Sequence, residues 1–133
     1  MDIIHRDIKL DNIMVNNRNI SHTNDIENFE FKIGDMGLAK PLSFNQELTQ
    51  TFAGTPLMMA PEQICGDKYG TKADVWSLGT LLFQMLTGLY PFFGQTYDEL
   101  RRNISDGSYQ IPNDVEISVD CMEFLNCCLR FDC

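Results

Sequence analysis

The sequence has no apolar run of the roughly 18 residues that a bilayer-crossing helix takes, so no membrane span is read from it. Its first fifteen residues carry Asp2, Arg6, Asp7, Lys9 and Asp11, which leaves no apolar stretch for a secretory signal. It has no C-x-x-C pair and only two histidines, so no metal-ligand spacing stands out. The five cysteines therefore read as reduced thiols of an intracellular, cytoplasmic chain. Four of them, Cys121, Cys127, Cys128 and Cys133, are expected as core thiols on a helix. Positive charge is scarce: ten Lys and Arg face nineteen Asp and Glu, a net charge of −9. That excludes a broadly basic, nucleic-acid-binding surface. The acidic surplus reads as solvated surface.

What remains is a chain of 133 residues with 44% hydrophobic content, enough for one domain or part of one. Ile13–Val15 is a short strand-like run, and FEFKI (Phe29–Ile33) alternates as a half-buried strand does. The asparagine-rich stretch between them reads as a surface loop, giving one small two-stranded unit. Residues 36–60 have no period and carry Gly37, Pro41, Gly54 and Pro56, which predicts a long irregular loop. Thr71–Leu86 is the clearest helix, with Thr71 and Asp74 at capping-box spacing and Gly88 past its end. Val75, Trp76, Leu78, Leu81, Leu82, Phe83, Met85 and Leu86 cover more than one of its faces, which predicts a largely buried helix. Further helices are expected from Thr96 to near Gly107 and from Ser118 onward. The fold class is mainly α with a two-stranded β unit near the N-terminus.

The chemistry-bearing residues concentrate in His5-Arg6-Asp7-Ile8-Lys9-Leu10-Asp11-Asn12 and in Asp35-Met36-Gly37. Phosphoryl transfer is mostly positioning and charge neutralisation. It needs a carboxylate near the attacking hydroxyl, oxygen ligands for Mg²⁺ and a cation near the transferred phosphate. Asp7, Asn12 and Lys9 are candidates for the three, and Asp35 for a second metal ligand on a turn that Gly37 permits.

With H-R-D-x-x-x-x-N at His5–Asn12, Asp35-Met36-Gly37 in the D-F-G place, GTPLMMAPE ending in Ala60-Pro61-Glu62, and ADVWSLG, the chain resembles the C-terminal lobe of a eukaryotic protein kinase. Lys9, two residues past Asp7, resembles the serine/threonine class. The stretch from YPFFGQTYDELRRNISDG to CMEFLNCCLRFD resembles Unc-51-like kinases and their protist relatives. The resemblance implies a partial kinase domain over residues 1–133. Its catalytic loop is 5–12, its metal-binding motif 35–37, its activation segment 35–62 and its central helix about 71–87. It implies ATP and Mg²⁺ as cofactors, and protein serine or threonine hydroxyls as substrates. Asp7 becomes the base, Lys9 the phosphate-facing cation, and Asn12 and Asp35 the metal ligands. Thr55 is placed near Asp7 and Lys9. Arg6 would receive a phosphate on the activation segment, for which Thr51 is the better candidate over Thr49. Glu62 would pair with an arginine late in the lobe, Asp74 would hold the catalytic-loop backbone, and His5 reads as a packed core residue rather than a ligand or base.

Three departures qualify the resemblance. Met36 replaces the usual phenylalanine and is expected to keep its packing. The chain contains neither G-x-G-x-x-G nor V-A-I-K, so the groups that cover ATP phosphates are missing. At the C-terminus Cys133 stands where a proline is expected, and Arg130 precedes Asp132, so it is not matched to the arginine for Glu62. These expectations describe a kinase fragment whose partners are protein substrates and a regulatory kinase or the missing N-lobe. The alternative is a kinase-like docking module without catalysis, acting through residues 54–62 and the 96–105 helix.

Overall fold

The computed structural model describes residues 2–17, 28–42 and 56–130. Thr49, Thr51, Thr55 and Cys133 lie outside them. Among the described residues four strands form two antiparallel pairs. Strand β1 (Asp2–Ile4) pairs with β4 (Lys40–Leu42), Ile3 facing Pro41. Strand β2 (Ile13–Asn17) pairs with β3 (Phe29–Ile33), from Ile13 opposite Ile33 to Asn17 opposite Phe29. The second pair is the expected unit. The first was not expected, because a three-residue strand containing a proline has no period to read.

The β2–β3 ribbon does not half-bury itself as its alternation predicts. Met14, Val15, Phe31 and Ile33 are all exposed. A lone two-stranded ribbon cannot bury a face by itself and needs a further layer against it.

Helices outweigh strands. Helix α1 (Pro61–Ile64) opens with proline at its first position, and the Gln63 side chain accepts the Ala60 N–H at 2.9 Å. Helix α2 (Lys72–Thr87) ends at Gly88, whose φ of 73° lets its N–H close on Gln84 O at 2.8 Å. The predicted Thr71 cap is not formed, and the Asp74 carboxylate is engaged elsewhere. Helix α3 (Tyr97–Asp106) is capped by Thr96, and α4 (Val119–Cys128) by Ser118.

The core gathers on one side of α2. Trp76 stacks on Phe92 with centroids 5.6 Å apart, and Phe83 and Phe92 both meet Tyr109 edge-on. Leu100 and Ile104 of α3 and Leu125 of α4 complete it. Helix α4 approaches α2 at Gly79, where a Cβ would lie 2.6 Å from that of Cys128.

Two burial expectations are corrected. Helix α2 is not largely buried: Val75, Leu78 and Met85 form an exposed apolar stripe, flanked by half-buried Leu82 and Leu86. Nor are the C-terminal thiols all core residues. Cys128 is buried, Cys121 half-buried and Cys127 exposed. Successive helix residues point about 100° apart, so Cys127 and Cys128 cannot share one narrow buried face. Burial, then the neighbouring Cys127, pushes the Cys128 thiol up, which makes it a poor nucleophile.

Candidate active site

Helix α2 supplies the anchor. Asp74 lies in its first turn, and its carboxylate reaches back to the N-terminal segment. One oxygen accepts the His5 N–H at 2.7 Å and the other the Arg6 N–H at 2.9 Å. Arg6 has a φ of 72°, a conformation that costs a non-glycine residue about 1–3 kcal/mol. Asp74 therefore accepts from the amide of the strained residue and from the amide just before it.

His5 is the second tie. Its Nε2 lies 2.9 Å from the Gly34 carbonyl, and its Nδ1 accepts the Asp7 N–H over a long 3.4 Å. The two contacts together put the ring proton on Nε2. Gly34 N–H in turn donates to Asn12 O at 2.8 Å. The segment around Asp7 and the turn at Asp35 are thus one unit.

Asp7, Lys9 and Asn12 converge at the centre. Lys9 Nζ sits 2.8 Å from Asp7 Oδ2. Asn12 donates its amide to the same oxygen at 3.1 Å and to the Asp7 carbonyl at 2.7 Å. With Nδ2 so committed, Asn12 Oδ1 is the part of the amide left to serve as an oxygen ligand. The Asp7 hydrogen bond holds the Lys9 ammonium above the usual lysine range. Desolvation opposes this, while the charges of Asp7, Asp11 and Asp35 add to it. Lys9 is therefore a fixed cation at neutral pH.

Asp35 is left-handed, with φ of 56°, and its Oδ1 accepts the Gly37 N–H at 3.1 Å. The special backbone thus belongs to Asp35, not to Gly37 as predicted. Glycine at 37 supplies space instead, since a Cβ there would lie 2.9 Å from Asp35 Oδ1. Met36 is exposed and does not keep a phenylalanine's packing among the described residues.

The 3-10 turn at Pro56–Met58 is pinned to α2 opposite this centre. Ser77 donates its hydroxyl to Met58 O at 2.8 Å. The Thr80 hydroxyl lies 2.8 Å from Ser77 O and 2.9 Å from the Met58 sulfur, with one proton for the two. Arg6, Asp7 and Ile8 face Met58, Met59, Gln63 and Ser77 across a narrow seam.

Comparison with known proteins decides the family. The protein kinase domain matches residues 1–133. The chain belongs to the protein kinase family. It is 39% identical over 130 residues to serine/threonine-protein kinase ATG1a of Arabidopsis thaliana, covering 96% of this chain and 20% of that protein. It is 41% identical over 106 residues to G2-specific protein kinase fin1 of Schizosaccharomyces pombe, 80% of this chain and 13% of that one. Serine/threonine-protein kinase 33 of Mus musculus is 39% identical over 120 residues, 89% of this chain and 24% of the relative. The chain thus spans a quarter or less of the length of these relatives. They place it among eukaryotic serine/threonine protein kinases.

In this kinase chain the structure brings Asp7, Lys9 and Asn12 into direct contact and ties Asp35 to them through Gly34. Glu62 is half-buried in the first turn of α1. The contributions of Ser77 and Thr80 were missed from the sequence. Their signal was a polar row, Asp74, Ser77, Thr80, at three-residue spacing along a largely apolar helix.

Proposed function

We propose that this chain carries the catalytic residues of a serine/threonine protein kinase, which moves the ATP γ-phosphate to protein hydroxyls. The observation that carries the reading is the Asp7–Lys9–Asn12 cluster, held on a strained loop that Asp74 anchors. Asp7 is the group that accepts the substrate hydroxyl's proton. Lys9 stays charged and sits beside that carboxylate, where a transferring phosphate needs a cation.

The donor set fits a hard cation. Asn12 Oδ1 and the Asp35 carboxylate are both oxygens, and Mg²⁺ takes one or two protein ligands alongside phosphate oxygens and water. When bound, MgATP supplies the phosphoryl group and neutralises its charge. With two protein ligands and no glycine-rich phosphate loop, affinity of the chain by itself is expected to be weaker than about 1 mM, roughly −4 kcal/mol. Thr55 is assigned to the protein-substrate side of Asp7 and Lys9. Thr51 is assigned as an activating phosphate acceptor, with Arg6 as the phosphate's partner. Glu62 is assigned a structural role at the α1 N-terminus. Among the described residues no helix is long and apolar enough to cross a membrane, and cytoplasmic action on protein substrates is part of the proposal.

A docking module without catalysis is the second reading. The missing phosphate-covering motifs favour it for the chain acting alone. One assay separates the two. Alone, the chain is expected to transfer no label from γ-labelled ATP. Fused to the nucleotide-covering half of a related kinase, it is expected to transfer label, and Asp7→Asn to abolish it. An inactive fusion that still binds MgATP would leave docking as the function.

A further inference from the structure

Met14 is an exposed methionine seated on the turn that joins the two halves of the site. It is 57% exposed. Its terminal methyl and sulfur nonetheless lie over Gly34, where a Cβ would sit 2.8 Å from Cε and 3.4 Å from Sδ. Gly34 is the residue through which Asn12 O, the His5 ring and the Asp35 turn are joined. The side chain is thus largely open to solvent, while its sulfur end lies over the backbone of this turn.

We propose that Met14 is an oxidation site, and that its sulfoxide loosens the Gly34–Asp35 turn. The oxidant class is a peroxide. A sulfur lone pair attacks one peroxide oxygen, the S–O bond forms as the O–O bond breaks, and with hydrogen peroxide the other oxygen leaves as water. Sulfur loses two electrons and the peroxide gains them. The product is polar, bulkier at sulfur and a strong acceptor, where the thioether was apolar and pliant. The added oxygen makes polar the tip that lies over Gly34, and a polar tip trades that apolar contact for water. The change is reversible, because reductases return sulfoxide to thioether at the expense of thiols. The consequence for catalysis rests on reading Asp35 as a metal ligand, whereas loosening of the turn does not.

The molecule holds its own controls. Met85 is equally exposed at 57% but lies on the outer face of α2, away from the site. Met58 and Met59 are 3% and 5% exposed. Met36, at 55%, adjoins Asp35 and is removed from the comparison by Met36→Leu.

The experiment treats the full chain with dilute hydrogen peroxide. It maps added oxygen by peptide mass spectrometry and follows amide hydrogen exchange at Gly34 and Asp35. Met14 and Met85 are expected to react together, at least about tenfold faster than Met58 and Met59. Gly34 exchange is expected to rise at least about tenfold with Met14 oxidation, and to return after reductase treatment. Met85 oxidation alone, in a Met14→Leu chain, should leave it unchanged. The reductase arm uses the unaltered chain and stands even if Met14→Leu folds poorly. The proposal is overturned if Met14 reacts no faster than the buried methionines. It is also overturned if complete oxidation of Met14 leaves Gly34 exchange unaltered. Loss of phosphotransfer in the fused kinase with an intact Gly34 amide would likewise count against it. A loosened turn without loss of phosphotransfer would instead count against Asp35 as the metal ligand.

Discussion

The two sides of helix α2 are built from similar numbers of large apolar residues, yet they have opposite fates. One side buries Trp76, Leu81 and Phe83, and it carries Asp74, Ser77 and Thr80. The other presents Val75, Leu78 and Met85 to solvent. Apolar character alone did not distinguish them. Asp74, Ser77 and Thr80 did, because burying a polar group costs free energy unless a partner meets it. On α2 those partners are the His5 and Arg6 amides and the Met58 carbonyl, so the polar row marks the side that organises the site.

The largest expected effect that breaks this contrast is Asp74→Ala. It removes two hydrogen bonds to a charged acceptor, together about 3–6 kcal/mol. Asp74→Asn keeps one oxygen and should lose roughly half as much. Urea denaturation followed by the fluorescence of Trp76, the one tryptophan, reads both. A loss under about 1 kcal/mol for Asp74→Ala would mean that the strained Arg6 turn is held by other contacts.

Ser77→Ala comes next. It leaves Met58 O without its hydroxyl donor, for about 1–3 kcal/mol in the same titration. In the fused kinase it should raise KM for a peptide substrate more than it lowers kcat, since the 56–58 turn and not Asp7 loses its tie. A pure fall in kcat would instead place Ser77's influence on the Asp7 loop.

Leu78→Ala on the exposed stripe should cost less than about 1 kcal/mol, the value for side chains still largely in water. A loss as large as that of Ser77→Ala would show that another surface covers the stripe in solution, and analytical ultracentrifugation would then find an oligomer.

The smallest effect lies at alkaline pH. Burial, and then the charges of Cys121 and Cys128, holds the Tyr109 phenol above its usual range. Its hydroxyl also donates to Asn126 at 2.7 Å, which a phenolate cannot do. A folded-state value above the unfolded one favours the protonated form. The contribution is therefore complete below the ordinary tyrosine range and lost as pH rises through the folded value. In a titration followed by absorbance at 295 nm, Tyr109→Phe should remove a step that lies above the ordinary tyrosine range.

Helices with local signals were legible almost to the residue. Thr96, Ser118, Gly88 and Gly107 stand where the capping rules put them. The identities of Asp7, Lys9, Asn12 and Asp35 were legible through short motifs. What supports them was not. Ser77 reaches Met58 across 19 positions, His5 reaches Gly34 across 29, and Asp74 reaches His5 across 69. No local period encodes such a pairing. The Thr71–Asp74 spacing misled for the same reason, since a carboxylate in a first turn can cap its own helix or leave it for a distant amide. Exposure of the β2–β3 ribbon was illegible because alternation reports which residues share a face, not whether anything covers that face.

The 69-residue reach from His5 to Asp74 also sets an order of events in time. Helix α2 is local and can form as soon as its own residues are free, whereas closing so long a loop carries an entropic cost that short contacts do not. On a ribosome adding about 5–20 residues per second, the His5 and Arg6 amides emerge on the order of 3–14 s before Asp74 can meet them. His5 and Arg6, made before Asp74, therefore wait for it to take the shape seen here. Through that interval the nascent chain carries Asp7, Lys9 and Asn12 without the Asp74 anchor that holds their loop.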